Sequence, residues 1–343
     1  MTTPAVLRRA GRLAALVLAA LAAADLLSIP LALLQGADPT DWASLLAPPV
    51  GRDDLLLTGL ILAVLALEGL SQGWARSALR RLLTSDDASV RTDLFYFVAN
   101  ATGLAAMLGT VATLGLGLGL NRLLAAGLGL PLAVDLPPWA AFTVLFLWQS
   151  LAVYWCHRLV HTRLFWPVLA VHHAITEFTV VAGQRHHPVD AFPGYLILGF
   201  VPALLGFSPD AVLAVCLAVS ALDVYQHSAL PSLPWVERHV CFGPRGHALH
   251  HSADPRWFDR NFGGDLVVWD KLFGTFAADF DASVPLGTDD PHGVFQSGRP
   301  LRDIVAVQRL WLAGAAAILR ERLAHLRLRQ PRPFRGPAAE GTA

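Results

Sequence analysis

The chain has 343 residues, 54% hydrophobic and only 15% charged, whereas soluble globular proteins carry about 25% charged residues. Basic and acidic residues number 26 each, so the formal net charge is zero and no basic footprint for nucleic acid is present. Three scattered cysteines without a C-x-x-C motif exclude a disulfide framework and a thiolate zinc site. The composition therefore indicates a membrane protein.

Four apolar segments in the first half predict transmembrane helices. Three arginines precede the first segment, 13–34. A cleaved signal peptide is the alternative there, because L-A-A-A at 21–24 resembles a cleavage site, but the apolar run is long for one. We prefer an uncleaved first span. The remaining predicted spans are 55–70, 94–120 and 139–154.

Arginines set the expected orientation of these spans. The N-terminus and the 71–91 loop are basic and are therefore expected in the cytoplasm. The loops at 35–54 and 121–138 carry one arginine each and are expected outside. Four crossings then return the chain to the cytoplasm at about His157.

Two further apolar pieces, 195–206 and 210–222, are shorter than the ~20 residues of a spanning helix. They predict a re-entrant hairpin, and two tilted spans would give the same sidedness. Residues 301–329 alternate arginine with apolar residues, which predicts an amphipathic helix on the membrane surface. The tail from 330 is rich in Pro, Arg and Gly and is predicted to be disordered.

Eleven of the thirteen histidines fall between His157 and His251. His157 and His161 are spaced i, i+4, which places both on one face of a helix, where they can bind one metal. Neighbouring histidines on a helix point about 100° apart, so an H-x-x-H-H block can serve two metals. Structural roles are expected for His239, His292 and His325.

Nine patterned histidines exceed the four ligands of a tetrahedral zinc site. Imidazole suits iron, copper, zinc and nickel. The Glu-x-x-His motif of carboxylate di-iron bundles is absent from the histidine-rich window. The residues therefore favour a two-metal, histidine-dominated centre, with iron as the best candidate. A metal-transport protein is the alternative, but Asp25 and Glu68, the clear acidic residues of the spans, are not expected near the histidines.

Seven motifs occur in a fixed order between about 91 and 276. They are R-T-D-L-F-Y-F (91–97), H-R-L-V-H (157–161), V-H-H (171–173), R-H-H-P-V-D (185–190), Y-Q-H-S (225–228), H-A-L-H-H (247–251) and N-F-G-G-D-L-V-V-W-D-K-L-F-G-T-F (261–276). Together they resemble the fatty acid hydroxylase/sterol desaturase superfamily of membrane di-iron oxygenases. The resemblance implies a helical membrane stem with a cytoplasmic helical cap that holds two metals.

The resemblance also implies the site residues, with no catalytic residue separate from the metal ligands. The main departure from the family is Leu169, which stands where the second box begins with histidine, so His186 or water could take that place, or the chain could be a degenerate, non-catalytic member. Asp190, Glu177, Asp223 and Asp270 are candidates to orient the ligands. The implied ligands are His157, His161, His172, His173, His187, His227, His247, His250 and His251.

The implied activity is hydroxylation or desaturation of an unactivated C–H bond of a lipid, with two iron ions, O2 and NAD(P)H-derived electrons. The chain has neither a haem box nor a dinucleotide fingerprint. A separate ferredoxin or cytochrome with its reductase is therefore expected. The expected domains are an N-terminal membrane hairpin with a basic loop (1–90), the catalytic domain (91–276) and a C-terminal helix and tail (277–343). The expected location is the inner membrane of a bacterium.

Overall fold

The computed structural model describes residues 3–34, 51–113, 115–127, 136–279 and 284–328. Extended pairing within these ranges is limited to one isolated bridge between Ser252 and Leu286. Most of the predicted 35–54 loop and the whole tail from 330 lie outside the described residues, as does part of the 121–138 loop. The protein is an all-α integral membrane protein, as predicted.

Helices follow one another along the whole described chain. A π-helical turn, Leu196–Phe200, joins two of the short ones into one continuous segment. The α-helices are α1 (Thr3–Leu34), α2 (Arg52–Gln72), α3 (Ala78–Thr84), α4 (Ala88–Ala101), α5 (Leu104–Ala112), α6 (Leu116–Ala125), α7 (Pro138–Val160), α8 (Trp166–His173), α9 (Ala191–Tyr195), α10 (Val201–Leu204), α11 (Pro209–Gln226), α12 (Pro234–His239), α13 (Pro244–His250), α14 (Val267–Phe273) and α15 (Pro300–Leu328).

Four helices, α1, α2, α7 and α11, are long and apolar enough to cross a membrane. The prediction for 210–222 was therefore too short: α11 covers 18 residues. Ser208 begins this helix by accepting a hydrogen bond from the Ala211 amide, and the polar residues after Leu222 continue it to Gln226. The arm before it, 191–204, is assembled from α9, the π turn and α10.

The predicted third span, 94–120, was wrong as a single helix. The axes of α4 and α5 meet at 92°. The break falls at Thr102 and Gly103, and Gly103 adopts a left-handed conformation (φ 74°) that L side chains rarely take. The chain thus bends where a straight helix was expected.

The ends of three spanning helices gather on one side of the molecule. The Ala229 amide, just beyond α11, donates to the Glu68 carboxylate near the end of α2 (2.8 Å). Glu68 is fully buried, and the residue that it binds, Ala229, is only two positions after His227 in the chain. This is contrary to the expectation that Glu68 lies away from the histidines. Arg9, near the start of α1, pairs with Asp86 in the basic loop (2.9 Å).

A buried arginine ties the 185–190 segment to the rest of the fold. The Arg185 guanidinium donates to Asp93 and Ser89 of α4 and to Gln296 ahead of α15, each at 3.1 Å. Both Arg185 and Asp93 are almost completely buried. Because an unpaired buried charge is very unfavourable, this pair fixes the position of the segment that follows.

Candidate metal centre and adjoining cavities

Eight histidines form two adjacent groups of four. Within each group, one ring nitrogen from every residue lies within 4.8 Å of those of the other three. We call His157, His161, His173 and His250 the outer group. We call His172, His227, His247 and His251 the inner group, and all four of its members are buried.

Two short helices supply both groups at once. On α8, His172 belongs to the inner group and His173 to the outer group. At the end of α13, His250 belongs to the outer group and His251 to the inner group. Adjacent helical positions point about 100° apart, so each pair divides between the two groups. The ring of His173, from the outer group, stacks on the ring of His251, from the inner group, with 4.4 Å between the ring centroids.

Backbone carbonyls orient the outer group. The His157 Nδ1 donates to the Phe262 carbonyl (3.0 Å), and the His250 Nδ1 donates to the Arg260 carbonyl (2.7 Å). A carbonyl only accepts, so each Nδ1 carries the proton and each Nε2 presents a lone pair. Asp259 lies 3.5 Å from the Nδ1 of His161. Metal-binding histidines in proteins are oriented in this way.

The loop that presents these carbonyls has an unusual backbone. Asp259 and Asn261 both have left-handed φ values, 56° and 57°. Asn tolerates this conformation better than most residues, and the buried Asn261 side chain bonds Gly246 and Ala277. Asp270 accepts from the Phe262 and Gly263 amides at 2.8 and 2.7 Å. Asp270, a predicted orienting residue, therefore acts through the loop and not on a ring.

Asp223 orients the inner group. The His227 Nδ1 lies 3.0 Å from the Asp223 carbonyl and 3.3 Å from its carboxylate. The His227 Nε2 is 3.1 Å from the Nε2 of His247. Gly183 packs closely against His227 and Asp223, and a Cβ added at Gly183 would lie 2.8 Å from the His227 Nδ1.

A carboxylate from a neighbouring helix supports α13. Glu237 of α12 is fully buried, and its Oε2 accepts a hydrogen bond from the Gly246 amide (2.6 Å) in the first turn of α13. Free amides at a helix N-terminus favour such a negative partner. Because α13 carries His247 and His250 and His251 follows directly, Glu237 positions ligands of both groups.

The donor set fits metal binding. Burial, followed by the neighbouring imidazoles, lowers the pKa values of five of these histidines well below their usual range and so favours the neutral form that binds metals. The ring nitrogens without a hydrogen-bond partner among the described residues include His161 Nε2, His173 Nε2, His250 Nε2 and both nitrogens of His251. The five histidines are His172, His173, His247, His250 and His251.

Three other predicted residues belong to neither group. His187 is buried, and its Nε2 faces the Ile304 carbonyl of α15 at 3.0 Å. His186 stacks on His172 (4.6 Å between ring centroids) without joining the inner group. Glu177 pairs with Arg81 on the surface.

A cavity of about 350 Å³ runs from the spanning helices to the histidines; we call it the stem cavity. Apolar side chains of α2, α7 and α11 line it, including Leu57, Val153 and Val219. His157, His172 and His247 line it as well. Leu169 is buried and also faces this cavity, so the departure from the family motif places an apolar side chain on its wall.

A second cavity of about 550 Å³, the cap cavity, reaches the histidines from the loops after α13. His161, His173 and His250 of the outer group line it, together with Asp259 and Asp289. The outer group thus borders both cavities, through His157 on the stem side, whereas the inner group borders the stem cavity.

Sequence reasoning did not find the backbone carbonyls at 260 and 262, Asp259 or Glu237. The carbonyls and Asp259 come from a loop whose left-handed turns carry no strong sequence pattern. Glu237 reaches α13 across a tertiary contact. The N-F-G-G motif was the available signal, since Asn261 and Gly264 both take positive φ values, which Asn and Gly accept more readily than other residues.

Comparison with known proteins gives the family. The fatty acid hydroxylase family model matches residues 142–275. Alkylglycerol monooxygenase of Danio rerio is 29% identical over 164 residues, covering 46% of this chain and 36% of the relative. Ornithine lipid hydroxylase of Rhizobium tropici is 32% identical over 126 residues, covering 36% of the chain and 38% of the relative.

Human lathosterol oxidase is 27% identical over 137 residues, covering 39% of this chain and 44% of the relative. The matched stretches therefore span well under half the length of these curated relatives. No solved structure matches the chain. The ordered histidine motifs, the two histidine groups and these similarities together support the fatty acid hydroxylase/sterol desaturase superfamily, through a fatty acid hydroxylase domain that covers residues 142–275.

Proposed function

We propose that this protein is a membrane-bound di-iron oxygenase that hydroxylates or desaturates an unactivated C–H bond of a lipid. One observation carries the proposal: members of two four-histidine groups line a cavity that is also lined by apolar side chains of membrane-spanning helices. A metal centre built from imidazole beside an apolar cleft suits redox chemistry on a hydrocarbon.

The reaction balances with one O2 and two external electrons. Hydroxylation converts R–H, O2, two electrons and two protons into R–OH and water. Desaturation removes two hydrogens from adjacent carbons and yields two waters from the same O2. Two iron ions, when bound, would activate O2, and the electrons would come from NAD(P)H through a separate ferredoxin or cytochrome with its reductase.

The chain itself would orient the ligands and hold the substrate. We assign the metal-binding role to the eight histidines of the outer and inner groups. Asp223 and the carbonyls at 260 and 262 would fix the ring orientations. Apolar residues of the stem cavity would hold the lipid chain against the histidines and exclude water.

Domain limits and location follow the same proposal. The catalytic unit would span 91–276, preceded by an N-terminal membrane hairpin and basic loop and followed by a C-terminal helix and tail. The arginine distribution supports a bacterial inner-membrane protein with its N-terminus, metal site and C-terminus in the cytoplasm. Its partners would be the membrane, a lipid and the electron carrier.

Comparative lipid mass spectrometry tests the proposal. The wild type and a His250→Ala/His251→Ala variant are expressed in the same host with a partner reductase, with and without O2. His239→Ala, an exposed histidine outside both groups, is the matched control. We expect a lipid with one more oxygen, or two fewer hydrogens, only where intact histidines and O2 coincide.

Equal lipid profiles in all samples, with iron bound to the wild type, would overturn the oxygenase. That result would instead support the non-catalytic or metal-handling alternatives.

A further inference from the structure

Three aspartate side chains line the stem cavity. Asp190, Asp223 and Asp265 line it, together with the neutral amides of Gln184 and Gln226. Neither lysine nor arginine lines this cavity among the described residues. A phosphate or carboxylate placed beside these carboxylates, away from the metal-binding histidines, would be repelled, because His186, the lining imidazole outside both groups, already lies against Asp190 (3.8 Å).

Asp265 is a buried polar group without a partner. Asp265 is only 4% exposed, and its Oδ2 atom has no hydrogen-bond partner within the described parts of the chain. Leaving a buried acceptor unsatisfied is unfavourable, so such a group generally has a ligand or a water molecule as its partner. Burial, followed by the charge of Asp223, raises the pKa of Asp265 to about 7.

The backbone around Asp265 is firmly held. The Gln226 side chain at the end of α11 donates to the Gly264 carbonyl, and the Leu266 amide donates to the Gly263 carbonyl (3.0 Å). The Val267 amide donates to Val240 (3.1 Å). Asp265 therefore lines the cavity from a fixed backbone position, and His172 and His247 line the same cavity.

We propose that Asp265 recognises the polar end of the substrate, and that this end donates hydrogen bonds and carries no negative charge. A hydroxyl or an ammonium has this chemistry, whereas a fatty-acid carboxylate or a phosphate does not. The apolar wall at Leu57, Val153 and Val219 takes the hydrocarbon tail. This inference rests on the proposed function for the identity of the substrate.

Binding to the purified, full-length protein tests the inference without turnover. Displacement of radiolabelled octadecane-1,2-diol is measured with four 18-carbon competitors: the diol, octadecylamine, stearate and octadecyl phosphate. We expect the diol or the amine to bind about tenfold or more tightly than both anions, as for a hydrogen bond to a carboxylate.

Variants identify the residue and the head group. Asp265→Leu should lose the preference, while Asp265→Asn should keep binding of the diol and lose binding of the amine. Asp279→Asn, an exposed aspartate, is the matched control and should behave as the wild type. Melting temperature and metal content show that each variant is folded.

Anionic lipids that bind as tightly as the diol, or a folded Asp265→Leu variant with unchanged preference, would overturn the inference. The two proposals fail separately. Head-group preference without oxidation of any lipid overturns only the oxygenase, and oxidation without head-group preference overturns only the role of Asp265.

Discussion

The outer and inner histidine groups are built from the same two helices but face different surroundings. His157 and His161 of the outer group are half-buried, and three outer histidines line the cap cavity. All inner histidines are buried, and two of them line the stem cavity beside the spanning helices. The outer group therefore borders the cap cavity and, through His157, the stem cavity as well, whereas the inner group borders the stem cavity.

Removing one ligand from each group should give the largest effects. We expect His250→Ala to lose the outer metal and His251→Ala the inner metal, so that metal content falls from about two ions per chain to about one. Elemental analysis of the purified variants, with His239→Ala as the control, measures this. If either single variant lost both metals, the two groups would act as one site.

Loosening α13 should affect both groups together. Glu237→Ala removes the carboxylate that accepts from the Gly246 amide, which is expected to lower the free energy of unfolding by about 1–3 kcal/mol. Metal content should fall in both groups, and Glu237→Gln, which keeps an acceptor, should be milder. Thermal unfolding and metal analysis check this prediction, and an unchanged melting temperature for Glu237→Ala would contradict it.

Two substitutions should separate the groups without touching a ligand. Gly183→Ala would place a methyl group 2.8 Å from the His227 Nδ1, so the ring must move and inner metal affinity should fall about tenfold. Asp259→Asn weakens the contact to His161 and should lower outer metal affinity by a similar factor. Competition with a chelator measures both, and equal effects of each variant on both metals would argue against the separation.

Leu169→His should have the smallest effect. Each group already has four histidines, so an added imidazole on the stem-cavity wall should leave the metal content unchanged. It would, however, make an apolar wall polar and weaken binding of the hydrocarbon chain. Metal analysis together with lipid displacement tests this, and a gain in bound metal would show that Leu169 marks a missing ligand.

Periodic features of the fold were predictable from the sequence. Apolar runs predicted α1, α2 and α7, because a helix that faces lipid is apolar over about 20 residues. The 92° bend after α4 was missed because Gly and Ala are as compatible with a continuous membrane helix as with a break. The start of α11 is marked by Ser208 and Pro209, yet its end was missed because polar residues continue the helix into the site.

For the site, the histidine spacing predicted most of the histidines that come together. It did not predict the carbonyl and carboxylate groups that orient them. The i, i+4 pair on α7 and the block on α13 follow from helical geometry. His187 follows the same kind of motif, but it turns toward the Ile304 carbonyl of α15. Such tertiary partners, like Glu237 and the loop carbonyls, depend on contacts between distant parts of the chain, which a single sequence does not show.

The division of His172–His173 and His250–His251 between two groups has a consequence for how this centre can change over generations. An insertion or deletion of one residue within α8 or α13 would rotate both histidines of a pair by about 100° and disturb both groups together. Point substitution is therefore the route by which a descendant could lose one site and keep the other. Descendants with a single remaining site should accordingly keep the number of residues in α8 and in α13 unchanged.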